Sequence, residues 1–316
     1  MKALISTGYG GWEKLKLTEI DTPTPKPNQV LVSIEYAGIE SALLHLLRGN
    51  PTMLRLGLGI TKPRNPRVGQ TFSGKVSKVG QKVTDFKVGD YVYGVCDGSM
   101  AEFALAKSSK IAPMPNGISF EQAAGFPVSA VAAHTATVAE SSTPNKVLVV
   151  GASGGVGSYL CQLLLLRGDD ITATASVNKL SRMKELGITD AIEHQQVSSL
   201  PENSFQRIYV LGGNRKPSEY FKLLTSDGRV IILGSDQAGS NFFGGFFTNF
   251  WQSLIHPKRI KIVISSEKPE SLSAVTKLLA GGKNNLRVVN GIDNAIEAVQ
   301  SFEKGEVFGR LVLNIN

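Results

Sequence analysis

The stretch KVLVVGASGGVGSYLCQLLLLRGDD, residues 146–170, constrains the fold of this chain more than any other. An apolar run, Val147 to Val150, meets Gly151, and Gly154 and Gly157 follow before an apolar segment of helical composition begins. In such a strand, turn and helix, one glycine permits a tight bend, one lets backbone amides approach a pyrophosphate, and the last lets helix and strand pack closely. The unpaired N–H groups and the dipole at the helix start favour negative charge. Gly151, Ala152, Ser153, Gly154, Gly155, Val156 and Gly157 are therefore the expected cradle for a dinucleotide. The plainer alternative is that these glycines only close a βα turn.

The next expected strand ends at Ser176, where folds that prefer NAD place a carboxylate for the ribose hydroxyls. Here the sequence reads TASVNKLSR. Ser176 leaves no carboxylate to repel a 2′-phosphate, and Lys179 and Arg182 supply cations that can pair with one, which favours NADPH. The alternative for both cations is an ordinary exposed helix face. Asp169 and Asp170 precede the strand and belong to its entry turn, so they do not restore an NAD reading.

Around this unit the chain alternates apolar strands with helix-length segments: KVLVVG, DITATAS, DAIEH, RIYVLGG, RVIILGS and KRIKIVISS. Six strands so arranged describe an α/β fold with a doubly wound parallel sheet. The first 118 residues look all-β, with short strand-like runs punctuated by Pro, Gly, Asn and Asp. After the parallel sheet come a helix, a strand, a second helix and a final strand. The expected domains are 1–118, 119–267 and a returning segment, 268–316, an organisation that suits 316 residues.

Two cysteines, Cys96 and Cys161, are too few for a disulfide framework and point to a reducing compartment. The start of the chain carries no secretory apolar core, and no apolar run is long enough to span a membrane, so a cytoplasmic protein is expected. The net charge of +8 comes from scattered lysines and arginines. The densest basic cluster, TKPRNPR, lacks stacking aromatics, so nucleic acid is not the expected partner. An anionic cofactor would profit from such a field.

Segments along the whole length carry a family resemblance: VLVSIEYAGIE, GQTFSGKVSKVG, FKVGDYVYG, GSMAEF, AAGFPVSAVAAHTA, GASGGVG, SDGRVIILG and KGEVFGRLVL. In this order they resemble the medium-chain dehydrogenase/reductase superfamily, in its zinc-free quinone oxidoreductase and enone reductase branch. The resemblance implies a GroES-like catalytic domain built from both chain ends, a central Rossmann domain, an active-site cleft between them, and a homodimer. It also implies that Gly212, Leu233, Gly234 and Ser235 join the cofactor-binding set. Metal-dependent relatives carry a Cys after the AGI-like turn and a His-Glu pair after the later glycine; here those places hold Glu40 and Gln70-Thr71. Neither these residues nor His45, His134, His194 and His256 supply the convergent ligands that tetrahedral zinc needs, so no metal is expected.

Without a Lewis acid, hydride addition suits an acceptor with its own electron sink, such as a quinone or an α,β-unsaturated carbonyl compound. His45 stands where relatives carry a proton-relay histidine or a cleft tyrosine, and imidazole titrates in the useful range. Its alternative is a packing residue of a short helix, SALLHLLRG. Glu40 and Leu43 replace the family's Asn and Asp, which leaves Glu40 as a candidate substrate contact. Tyr209 departs from the acidic residue relatives hold there. In NFFGGFFTNFWQSLI, Phe243 and its neighbours are expected to line an acceptor pocket, a subunit interface or a core helix. The leading expectation is an NADPH-dependent, zinc-independent reductase of quinones or enones. The rivals are an enoyl thioester reductase and a catalytically drifted nucleotide-binding protein on the same fold.

Overall fold

A long strand, QVLVSIEYAGI, organises the first part of the chain because both its faces are apolar enough to be covered. The computed structural model describes all residues except 51, 141–142, 214, 234–250 and 284. They form two units, one of Met1–Val131 with Ser266–Asn316 and the other of Ala132–Ser265. The first begins with β1 (Lys2–Ser6) and β2 (Leu15–Glu19), an antiparallel pair, followed by β3 (Gln29–Ile39). Helix α1 (Ser41–Arg48) and the short α2 (Leu54–Leu58) come next, then β4 (Thr71–Val79), β5 (Tyr91–Val95), β6 (Phe103–Lys107) and β7 (Ile111–Pro113). Helix α3 (Phe120–Gly125) starts on a capping box in which Ser119 and Gln122 satisfy each other's backbone N–H.

The helices α1 and α2 correct the all-β expectation for this region. In SALLHLLR, Leu43 and Leu47 are one helical turn apart and both buried, and Gly49 in the left-handed region ends the helix. The segment after it is tied down. The Arg55 guanidinium lies 4.4 Å over the Tyr9 ring and donates to the Gly49 carbonyl, while the Tyr9 hydroxyl donates to the Gly59 carbonyl at 2.5 Å.

Helix α4 (Ser129–Val138) leads to the parallel sheet: β8 (Lys146–Val150), α5 (Gly155–Arg167), β9 (Asp170–Ala175), α6 (Leu180–Leu186), β10 (Asp190–Glu193), β11 (Phe205–Val210), β12 (Leu224–Leu233) and β13 (Ile260–Val263). The strand order β10-β9-β8-β11-β12-β13 is that of a doubly wound sheet, as expected. Its order reverses between β8 and β11, where such sheets open a ligand crevice at the strands' carboxyl ends. Helix α5 buries Leu160, Cys161, Leu163 and Leu164, while Leu165 and Leu166 near its end are exposed.

Asp169 has no free carboxylate. It accepts from Arg167 at 2.7 Å and from the Asn145 N–H at 2.8 Å. Tyr209 is fully buried on β11 with its hydroxyl 3.5 Å from Arg167, and burial raises its phenol, so it stays neutral.

The chain then returns to the first unit through α7 (Pro269–Leu279), β14 (Leu286–Asn290), α8 (Ala295–Glu303) and β15 (Arg310–Asn314). Strand β15 pairs antiparallel with β3, completing the sheet order β14-β15-β3-β4-β5-β7, with β6 also on β3. Val32, Ile34, Phe72, Val92, Leu311 and Leu313 fill its core. Among the described residues, no helix is long and apolar enough to cross a membrane.

Candidate functional site

In the Ala132–Ser265 unit, β8 runs into Gly151 at φ +86°, a left-handed conformation that side chains rarely adopt. The turn is tied to the end of β9. Gly151 N–H donates to Thr174 Oγ1 at 3.2 Å, and Ala152 N–H donates to the Thr174 carbonyl at 3.1 Å. A Cβ on Gly157 would fall 2.4 Å from the Gly151 carbonyl oxygen and 2.7 Å from Ala152 Cα, so this glycine lets helix and turn touch. Gly154 differs. Among the described residues, a Cβ there meets only the Gly151 carbonyl, at 3.5 Å, and no side chain caps the start of α5. A helix start without a cap, approached over a glycine with open space, fits a phosphate group.

Ser153 is buried, while Gly155 and Val156 open the helix half-buried. Gly212 lies against the turn, its nitrogen 3.5 Å from where a Gly151 Cβ would stand. Leu233 is buried at the end of β12, and Gly234, Ser235 and Phe243 lie outside the described residues. Of the aromatic segment's tail, Trp251 is exposed.

Ser176 is exposed at the end of β9, and Lys179 follows half-buried, its ammonium pushed down by burial. The structure adds a residue that the sequence reading passed over. His194, directly after β10, places Nδ1 3.0 Å from Thr174 Oγ1, the same oxygen that holds the glycine turn. Burial and then the Lys179 charge lower its imidazole, so a neutral ring stands in the neighbourhood of the Lys179 ammonium. The available signal was its place just beyond the third strand of a doubly wound sheet. Arg182 makes an exposed pair with Glu185 at 3.1 Å, which contributes about 0–1 kcal/mol.

His134 is also lowered by burial, below the ordinary 6.5 of imidazole. A depressed histidine binds fewer protons in the native than in the unfolded chain, so its contribution is full above about pH 6.5 and is lost as pH falls through the folded value. The melting temperature should therefore drop between about pH 7 and 5, with a shallower drop in His134→Gln. Equal slopes in the two proteins would contradict this.

In the other unit, Glu40 begins α1 but does not cap it. Its Oε2 accepts from Arg310 Nη1 at 3.2 Å and from Ser129 Oγ at 3.1 Å, and Arg310 Nη1 also donates to Ser129 Oγ at 2.9 Å. The Glu40 and Arg310 side chains are 4% and 1% exposed, so the residue expected at the substrate turns inward onto a buried ion pair. Gly38 makes room for it, since a Cβ there would fall 2.2 Å from Thr71 Oγ1 and 3.1 Å from Arg310 Nη2. His45 stands half-buried in the last turn of α1, and its carbonyl accepts from Asn50 N–H. Among the described residues, no three His, Cys, Asp or Glu side chains converge as metal ligands would.

A doubly wound sheet with an uncapped glycine turn, joined in one chain to a β-rich unit made from both termini, defines a dinucleotide-binding oxidoreductase architecture. Residues 26–116 match the alcohol dehydrogenase GroES-like domain. The chain is 32% identical to the chloroplastic quinone-oxidoreductase homolog of Spinacia oleracea, covering 86% of this chain and 92% of the relative. It is 28% identical to the 2-methylene-furan-3-one reductase of Solanum lycopersicum, covering 99% and 79%. The solved quinone oxidoreductase of Coxiella burnetii superposes with a TM-score of 0.85 over 100% of this chain and 99% of that one, at 23% identity, a likeness of fold. The chain belongs to the medium-chain dehydrogenase/reductase superfamily, in its quinone oxidoreductase branch, whose members are oxidoreductases that use a nicotinamide cofactor.

Proposed function

We propose that the chain is an NADPH-dependent, zinc-independent reductase of quinones or α,β-unsaturated carbonyl compounds. The observation that carries this reading is the pairing of a glycine turn open at Gly154 with a β9 end that bears Ser176 and Lys179 and no carboxylate of its own, beside His194. The turn amides and the start of α5 bind the pyrophosphate, while Lys179, His194 and Ser176, with Arg182 at the rim, take the 2′-phosphate. Gly212 and Leu233 complete the nucleotide contacts, while Gly234, Ser235 and Phe243, expected from the family pattern at the cofactor and the acceptor, lie outside the described residues. The bound cofactor supplies a hydride, and an acceptor with a conjugated carbonyl takes it without a metal. His45 is the proposed source of the proton for the resulting anion.

Lys179→Ala is expected to weaken NADPH binding about tenfold while leaving NADH within twofold, because a charge-assisted contact to phosphate is lost. Calorimetric titration with both nucleotides checks this, and an equal loss for both removes the 2′-phosphate role. Oxidation of NADPH by 1,4-benzoquinone or 2-cyclohexenone, and not by crotonyl thioester, supports the acceptor class. The reverse preference makes the chain an enoyl thioester reductase, and binding without turnover makes it a drifted nucleotide-binding protein.

A further inference from the structure

In the nucleotide-binding unit, His194 stands where a proton can be gained or lost without breaking a contact. Strands β9 and β10 run parallel with Glu193 opposite Ala175, so the next residue of each, His194 and Ser176, reach the same level at the carboxyl edge of the sheet. Lys179 closes the turn that follows β9, its N–H donating to the Ser176 carbonyl at 2.8 Å. His194 Nδ1 lies 3.0 Å from Thr174 Oγ1, which also accepts from Gly151 N–H at 3.2 Å. A hydroxyl can donate to an unprotonated ring nitrogen or accept from a protonated one, so Thr174 serves the neutral and the cationic ring alike.

The charges around the ring leave it responsive. Lys179 is the charged group that acts on it, and it opposes a second positive charge. Among the described residues, the other charges on the neighbouring elements are engaged elsewhere. Asp190 of β10 accepts from Thr172 of β9, Arg182 of α6 pairs with Glu185, and Glu193 forms a capping box with Gln196 across the turn that His194 opens. Arg215 donates to Ser198 on that same turn. A 2′-phosphate reverses this balance. Its second ionisation lies at about pH 6, so at neutral pH it brings nearly two negative charges, and beside it the ammonium and a cationic ring both gain a partner. NADH carries a hydroxyl in that place and exerts no such pull.

We propose that His194 makes the coenzyme preference depend on pH: its ring takes up a proton from solvent when NADPH binds and stays neutral when NADH binds. The proposal rests on the functional reading above for placing the 2′-phosphate at Ser176 and Lys179. The sign follows from linkage. A site that gains a proton together with its ligand binds that ligand more tightly as pH falls, so the preference for NADPH is strong near pH 6.5 and fades as the solution becomes alkaline.

The test counts protons. NADPH and NADH are titrated calorimetrically at about pH 7.5 into the wild-type protein and His194→Gln, in buffers of different ionisation heat. Each protein is checked for an unchanged melting transition, with His194→Asn as a substitute if His194→Gln does not fold. At this pH the 2′-phosphate is already ionised and releases almost nothing, and Lys179 is retained in both proteins. NADPH should bring about 0.3 proton or more into the wild-type protein beyond what NADH brings, and His194→Gln should lose that excess. Wild-type affinity for NADPH should fall at least about threefold between pH 6.5 and 8.5, and that of the variant by less than half as much. In spectra of the wild-type protein with 13C-labelled histidine, one of the four rings should shift toward its protonated form with NADPH and not with NADH. An excess retained in the variant assigns the proton to Lys179 and overturns the proposal. If NADPH binds more tightly than NADH without excess uptake, the 2′-phosphate site stands and the proton link fails. If the two nucleotides bind equally and with equal uptake, the site itself fails and the proposal with it. Uptake with the expected dependences but no turnover of any acceptor leaves the proposal standing while the reductase reading fails.

Discussion

Gly157→Ala is expected to weaken NADPH binding at least tenfold and to destabilise the nucleotide-binding unit by about 1–3 kcal/mol, the usual range for overpacking. The added methyl would stand 2.4 Å from the Gly151 carbonyl oxygen and 2.7 Å from both Ala152 Cα and the Ala152 carbonyl oxygen. All three are backbone atoms, so no side chain can move aside, and the start of α5 must shift away from the turn that holds it. Gly154→Ala provides the control. Its φ of −82° suits any residue, and its Cβ meets nothing closer than 3.5 Å, so stability should stay within about 0.5 kcal/mol of wild type. The methyl nevertheless intrudes on the approach to the uncapped helix start, and NADPH affinity should drop about tenfold. Thermal melting and fluorescence titration of both variants decide the matter. A Gly154→Ala protein that binds NADPH as the wild type does would show that the pyrophosphate lies elsewhere.

Removing the Arg310 side chain should cost more. Arg310→Met leaves Glu40 as a buried carboxylate with only the Ser129 hydroxyl against it, and breaking a buried pair in this way destabilises by about 3–5 kcal/mol. That is a large part of the ~5–15 kcal/mol that holds a typical protein folded. The double variant Glu40→Leu with Arg310→Met should recover most of the loss, because two apolar side chains need no partner in a dry interior. Urea denaturation of the single and double variants measures both. If Arg310→Met unfolds within about 1 kcal/mol of the wild type, the pair does not carry the energy assigned to it.

The parts of this protein that were legible in the sequence are those whose cause is local. The parallel sheet announced itself in apolar strands separated by helical lengths, and the turn before α5 in glycines spaced along a few residues. The two short helices after β3 were harder to read. SALLHLLR was legible as a short helix only as one alternative for His45, and what fixes it is Leu43 and Leu47 meeting a core assembled from strands elsewhere in the chain. Glu40 was read as a substrate contact because its position in the family pattern was visible and its partner was not. Arg310 lies 270 residues away, and only the pairing of β15 with β3 brings the two strands side by side. His194 was passed over for a similar reason, since its importance comes from sharing the Thr174 hydroxyl with Gly151.

The order of residues was enough to establish the succession of strands and helices in the parallel sheet, the glycine turn and the absence of a carboxylate at the end of β9. These follow from backbone preference and hydrophobic period, which act over one or two turns of chain. Long-range packing settled the rest: which charges are buried together, and which glycine yields space to a helix and which does not. Such facts depend on strand register and on close contact between segments distant in the chain, and no local stretch of sequence encodes either.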